Sequence, residues 1–291
     1  MKQTLLGSSK INVGAIGYGC WRFAESSLQE ADRKIRTALD SGMTLIDTAD
    51  IYGLGEARGF GGAEEVLGNV LQASPDLRGR MILATKGGID AVRPYDTTYD
   101  YLMTAIDNSL ARLKTSAVDL YQIHRPDITT HMAETARALN DIVLAGKARY
   151  IGVSNFTVSQ TRALQAHLDT KIITTQPEFS ALQQAPLIDG TLDWCQEMTA
   201  TALAWSPLAG GRLFSENNPI TETLDRLAEK HNATRTHIAL AFTTHHGADV
   251  IPIIGTQKTE RIIDSAKAGD IPLTARDFYD IVEAYRGEAM P

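Results

Sequence analysis

Cysteine is nearly absent from this 291-residue chain: Cys20 and Cys195 stand far apart and outside any Cys-x-x-Cys spacing. That argues against a disulfide framework or a thiolate metal site, and reduced thiols are the expected state. Long apolar runs are missing too, since none approaches the roughly 18 residues a membrane-crossing helix needs. The opening stretch meets Ser8, Ser9 and Lys10 before a signal-peptide core develops, so the expected location is the cytoplasm. Positive charge is in short supply, with 28 Lys and Arg against 35 Asp and Glu, a net charge of −7. Nucleic acid and anionic membrane surfaces are therefore poor partners. No HxH or HExxH spacing occurs among the 7 histidines, and no metal is expected. Linkers, charge blocks and low-complexity tracts are lacking as well, which points to one domain over residues 1–291. At 43% hydrophobic residues, the chain has enough apolar material for one large core.

What is present is a repeated unit, a short β-rich run followed by a loop and an amphipathic helical stretch. Strand candidates fall at residues 15–18, 44–47, 81–84, 118–123, 150–153, 172–175, 201–204 and 250–253. Helical patterns fill the intervals at 29–41, 63–72, 98–113, 132–145, 157–168, 187–197, 222–245 with a break, and 258–268. Leu102, Ile106, Leu110 and Leu113, for example, fall on one helix face. Eight such units predict an α/β protein with a closed (β/α)8 TIM barrel. Thr4 to Val13 reads as a hairpin that plugs the barrel bottom, and residues 274–286 as an extra C-terminal helix with Thr274 at its N-cap. An open doubly wound sheet is the runner-up. It needs a glycine fingerprint, and Gly17-Tyr18-Gly19 and Gly53-Leu54-Gly55 both miss the third glycine.

Barrel enzymes keep their chemistry at the C-terminal ends of the strands. Asp47 ends the second strand with Tyr52 in the loop beyond it, Lys86 ends the third and His124 the fourth. A free tyrosine, with a pKa of about 10, is a weak acid at neutral pH, and a neighbouring ammonium lowers that value. Lys86 is placed to supply that charge, Asp47 to hold Lys86, and His124 to orient a carbonyl oxygen. None of the four is an obvious nucleophile for carbonyl carbon, so a hydride donor is needed. Ser154, Asn155 and Gln176, with Trp205 at the next strand end, suit the edge and face of a nicotinamide carboxamide.

These residues lie in segments that resemble the aldo-keto reductases over essentially the whole chain. The segments are Leu45-Ile46-Asp47-Thr48-Ala49-Asp50-Ile51-Tyr52-Gly53, Ala84-Thr85-Lys86-Gly87, Asp119-Leu120-Tyr121-Gln122-Ile123-His124-Arg125-Pro126 and Gly152-Val153-Ser154-Asn155-Phe156. The resemblance implies NAD(P)H-dependent reduction of an aldehyde or ketone, or the reverse alcohol oxidation. Tyr52 would be the general acid or base, tuned by Lys86 and Asp47, with His124 orienting the substrate. It also implies NADP(H) bound in an extended conformation along Gly19, Trp21, Asp47, Ser154, Asn155, Gln176 and Trp205. Ser206, Pro207, Leu208, Gly210 and Arg212 would hold the pyrophosphate, and Gly255, Thr256, Lys258 and Arg261 the adenosine 2′-phosphate. Many members carry a second basic residue beside that lysine and a Glu-Asn pair farther along. Here Gln257, Asp264 and Ser265 stand instead, which leaves NAD(H) open as cofactor.

Candidate substrate contacts are Trp21, Tyr52, His124 and Phe156, with Phe23, Arg125 and the glycine-rich loop 53–62 nearby. Core packing accounts equally well for Phe156, and an ion pair with Asp127 or another carboxylate is the favoured reading of Arg125, ahead of attraction of a carboxylate-bearing aldehyde or ketone. The expected partner is a small-molecule carbonyl compound, and the expected assembly a monomer or small homo-oligomer. Three rivals have other predictions: a cofactor-sensing module that binds without turnover, a Schiff-base lyase using Lys86, and a zinc hydrolase.

Overall fold

A computed structural model describes residues 1–291. Eight parallel strands close on themselves: β3 (Gly17–Gly19), β4 (Leu45–Asp47), β5 (Ile82–Gly87), β6 (Val118–Ile123), β7 (Ala148–Ser154), β8 (Ile172–Gln176), β9 (Thr201–Ala204) and β10 (Val250–Ile254), with β10 pairing back to β3. The closed barrel removes the doubly wound alternative. All eight strand candidates are present, and β5 runs on past the expected Ala84 to take in Lys86.

Two short strands precede the barrel, β1 (Gln3–Leu5) and β2 (Asn12–Gly14), paired antiparallel. Leu6, just past β1, and Val13 of β2 join Leu45, Ala84, Leu120, Ile173, Leu203, Ile251 and Ile253 in an apolar cluster distinct from the main core. The hairpin therefore plugs the barrel floor. Gly7 donates its N–H to Thr201 Oγ1 at 2.7 Å and lies so near the Ile173 carbonyl that a Cβ would collide with it. Only glycine fits that approach.

The outer ring comprises α1 (Leu28–Asp40), α2 (Gly62–Ala73), α3 (Tyr99–Leu113), α4 (Met132–Leu144), α5 (Val158–Gln165), α6 (Thr191–Met198), α7 (Pro219–Lys230), α8 (Arg235–Thr244) and α9 (Thr259–Ala266); α10 (Ala275–Arg286) follows. The long pattern at 222–245 does break, at His231–Thr234. It starts earlier than expected because Asn218 caps Ile220 and Thr221 N–H ahead of Pro219, whose fixed φ suits a first helical turn. Helix α6 starts later than expected: Gly190, in the left-handed region at φ 85°, turns the chain before Thr191. Thr274 caps α10 by accepting from Asp277 N–H, as its sequence position implied. Both cysteines are buried and free.

The strand register decides what faces the barrel axis. Leu45, Ala84 and Leu120 belong to the apolar inner cluster. With a side-chain period of two, Asp47, Lys86 and Gln122 must also point inward, one layer nearer the C-terminal mouth. An apolar floor thus carries a polar layer directly above it.

Candidate active site

The Lys86 side chain is 0% exposed, and its ammonium uses all its donors. Nζ donates to Asp47 Oδ2 at 2.6 Å, to the Thr48 carbonyl at 2.9 Å and to the Tyr52 hydroxyl oxygen at 3.1 Å. The other Asp47 oxygen accepts from Gln122 Nε2 at 3.2 Å and Gln176 Nε2 at 3.1 Å. A buried ion pair is tolerable only when its remaining hydrogen-bonding positions are filled, and here they are. Burial pulls the Lys86 ammonium toward neutrality, but Asp47 and then Tyr52 outweigh it and hold the amine above its ordinary value. A charged lysine is a poor Schiff-base nucleophile, which weighs against the lyase reading.

Tyr52 is set by turns rather than by a strand. Its N–H donates to Ala49 O at 3.2 Å, and its carbonyl accepts from Ala63 N–H at 3.1 Å. The loop between is a run of hydrogen-bonded turns, and Arg58 Nε donates across to Ala24 O at 2.7 Å. Gly53 makes this possible: at φ 107° it packs where a Cβ would stand 2.5 Å from Gly59 O. Because its oxygen accepts from Lys86, the phenol keeps its own O–H free to donate.

The expected lowering of the Tyr52 pKa is not what the site produces. Burial raises it, Lys86 offsets only part of that, and Asp47 pushes upward again, so the phenol sits above its usual value. The proton stays on Tyr52 at neutral pH. His124 faces Tyr52 edge-on, with ring centroids 5.7 Å apart and planes at 81°. Its Nδ1 is enclosed without a partner. Burial, then the charges of Lys86 and Arg125, hold the ring well below the usual histidine value, so it is neutral at pH 7.

The neighbouring strand ends form one hydrogen-bonded chain. Ser154 Oγ donates to Gln176 O at 2.9 Å, and Asn155 Nδ2 donates to Ser154 Oγ at 2.8 Å and His124 O at 3.2 Å. Trp205 Nε1 donates to Asn155 Oδ1 at 3.0 Å, which fixes the indole at the mouth. Asn155 adopts the left-handed region at φ 59° to reach both partners, a conformation asparagine tolerates better than most residues.

Beyond β9 the chain turns at Ser206 (φ 49°), Ala209 (φ 52°), Gly210 (φ 66°) and Gly211 (φ 97°), with Pro207 and Leu208 between. Gly210 and Gly211 are exposed and open around the missing Cβ, so an anionic ligand can approach their backbone. Arg212, Lys258 and Arg261 are exposed cations that pair with no carboxylate in the chain. Gly255 and Thr256 follow β10, and the Thr256 carbonyl accepts from Tyr18 OH at 3.0 Å. Gly19, at the end of β3, backs onto Ile253, whose Cγ2 would lie 2.9 Å from an added Cβ. Amide-reading groups, an open glycine turn and three unpaired cations together fit a phosphorylated dinucleotide.

Trp21 is 58% exposed with the Arg22 guanidinium 5.3 Å from its ring centroid. Phe23 is not at the mouth: it is fully buried and packs edge-on to Tyr18, so its apolar ring belongs to the core. Phe156 is likewise buried in the main core cluster. The expected Arg125–Asp127 ion pair does not form. Asp127 instead accepts from Thr97 N–H, Thr129 and Thr130, three local donors that need no long side chain to be immobilised. Two features escaped the sequence reading. One is Gln122, whose signal was an amide inside a wholly buried strand. The other is Lys34, which reaches from α1 to Gln257 Oε1 at 2.9 Å.

The closed barrel carries this polar layer at its C-terminal mouth, and comparisons with known proteins show the family it belongs to. The profile of the Aldo/keto reductase family matches residues 15–286, and the chain belongs to that family. It is therefore an enzyme of a family that reduces carbonyl groups with nicotinamide cofactors. Among similar proteins is a 6-dehydroglucose reductase of Novosphingobium aromaticivorans, 47% identical over 98% of this chain and 96% of that one. A 6-dehydroglucose reductase of Agrobacterium fabrum is 35% identical over 96% of each. A crystal structure of a thermostable aldo-keto reductase bound to the inhibitor epalrestat superposes with a TM-score of 0.85 at 28% identity, covering 97% of this chain and 98% of that one.

Proposed function

We propose that the chain is a cytoplasmic, NADPH-dependent carbonyl reductase in which Tyr52 donates the proton to the carbonyl oxygen. The observation that carries this reading is the Tyr52 hydroxyl, whose oxygen accepts from Lys86 Nζ at 3.1 Å and so leaves its own O–H free to donate. Bound NADPH supplies a hydride to the carbonyl carbon. Neutral His124 offers a ring N–H to the same oxygen and fixes the carbonyl against the phenol. As the proton leaves Tyr52, the Lys86 ammonium stabilises the phenolate, and Asp47 keeps that ammonium charged and aimed. Ser154, Asn155 and Gln176 would hold the nicotinamide carboxamide, and Trp205 would pack against its ring. Ser206 to Arg212 would receive the pyrophosphate, and Gly255, Thr256, Lys258 and Arg261 would receive the 2′-phosphate.

For substrate, the relatives' name supports a sugar aldehyde, 6-dehydroglucose. Exposed Trp21 suits the face of a sugar ring at the mouth. The test is NADPH consumption with 6-dehydroglucose, and with 4-nitrobenzaldehyde as a general carbonyl. Turnover of both with preference for the sugar aldehyde is expected. NADPH binding without consumption across a carbonyl panel would instead favour a cofactor-sensing module.

A further inference from the structure

In the segment Gly255–Arg261 the residue beside Lys258 is the uncharged Gln257. Another element brings a cation to that glutamine. Lys34 lies in the middle of α1 and is only 9% exposed, yet no carboxylate pairs with it. Its Nζ donates to Ser26 Oγ at 3.0 Å and Gln257 Oε1 at 2.9 Å, and lies 5.6 Å from the Phe23 ring centroid. Glu30, one turn back, has its carboxylate engaged by the Ser27 N–H and hydroxyl at the helix cap. Gln257 passes the contact on, since its Nε2 donates to Gly255 O at 3.2 Å.

The ammonium shares its cavity with Glu25, Glu30 and Glu56, and Glu30 one turn back acts on it electrostatically, yet its hydrogen bonds go to Ser26 and Gln257 and not to a carboxylate. Burial lowers the Lys34 pKa, and the Glu30 carboxylate offsets part of that. The brace it forms reaches the turn between β10 and α9 at Gln257 and Gly255, just before exposed Lys258 and Arg261.

We infer that Lys34 is a positioning residue for the cofactor's 2′-phosphate: through Gln257 it braces the Gly255–Lys258 turn and adds positive potential there, which favours NADP(H) over NAD(H). This rests on the proposed reading of that turn as the phosphate site. NAD(H) carries a hydroxyl where NADP(H) carries a dianion, so the field of Lys34 acts selectively on the phosphorylated form.

The experiment is calorimetric titration with two fragments that differ only by that phosphate, 2′,5′-ADP and 5′-AMP. Wild type, Lys34→Met, Lys34→Arg and Gln257→Leu are compared. Lys34→Met is expected to weaken 2′,5′-ADP by about five- to tenfold, the size of one partly screened charge interaction, with 5′-AMP within about twofold. Lys34→Arg should restore most of the difference. Gln257→Leu, which keeps the lysine but cuts the brace, should lose part of it and serves should Lys34→Met fail to fold. An unchanged ratio in the variants, or equal weakening of both fragments, overturns the inference while leaving the phosphate site standing. If wild type itself binds both fragments alike, the reading of the turn as a phosphate site fails, and the inference with it.

Discussion

Gln122 donates to Asp47 Oδ1 at 3.2 Å from a strand two places around the barrel. With Gln176 on the far side of the same oxygen, it clamps the carboxylate that holds Lys86. Substituting Gln122 by Met removes a donor to a buried charge, a change worth roughly 1.5–3 kcal/mol. We expect kcat to fall about tenfold or more, with NADPH affinity little changed, because the clamp acts on the proton donor and not on the dinucleotide. Steady-state kinetics alongside a fluorescence titration with NADPH check this. An unchanged kcat would make Gln122 a packing residue only.

The raised Tyr52 pKa gives the two reaction directions opposite pH profiles. Reduction needs the protonated phenol, so kcat/KM for carbonyl reduction should stay level through neutral pH and fall only above the usual tyrosine value of about 10. Alcohol oxidation needs the phenolate and should climb with pH over the same range. Initial rates in both directions across one buffer series decide it. A reduction limb that falls near pH 7 would mean the phenol is acidified after all.

His124 links the site to stability. Its folded-state pKa lies well below the unfolded value of about 6.5, so below that pH the unfolded chain takes up a proton that the folded chain resists. The stability associated with neutral His124 is fully present above about pH 6.5 and is lost as pH falls toward the folded value. Denaturant midpoints at pH 7.5 and 5.5 should differ more in wild type than in His124→Asn. Equal differences would assign the acid sensitivity to other groups.

Arg261 and Lys258 are exposed and unpaired in a chain of net charge −7, which marks them as a local cationic patch. Arg261→Ala should weaken NADPH about tenfold and NADH far less, and the NADPH deficit should shrink as salt is raised. Equal effects on both dinucleotides would remove the phosphate assignment from that residue.

The legibility of the sequence followed periodicity. Strand and helix runs were long enough for the barrel to be counted, and Asp47, Lys86 and His124 stood out because they end strands. Gln122 did not, since it sits one residue inside β6 and only the barrel register shows that it faces the axis. Lys34 was hidden in a helix where a lysine normally reads as solvated face, and its burial depends on α9 packing against α1. Phe23 was misplaced for a related reason: proximity to a strand end does not say whether a side chain turns inward, outward or down into the core. The net sign of the Tyr52 shift also needed the structure, because it is a balance between Lys86 and burial, and burial is invisible in a sequence.

The proton transfer is tested most directly by Tyr52→Phe, which removes one oxygen and leaves the Lys86–Asp47 pair in place. Carbonyl reduction by the variant should fall by a factor of about 10² to 10⁴ while NADPH binds within about twofold of wild type. Wild-type kcat in Tyr52→Phe would contradict the assignment of the proton donor.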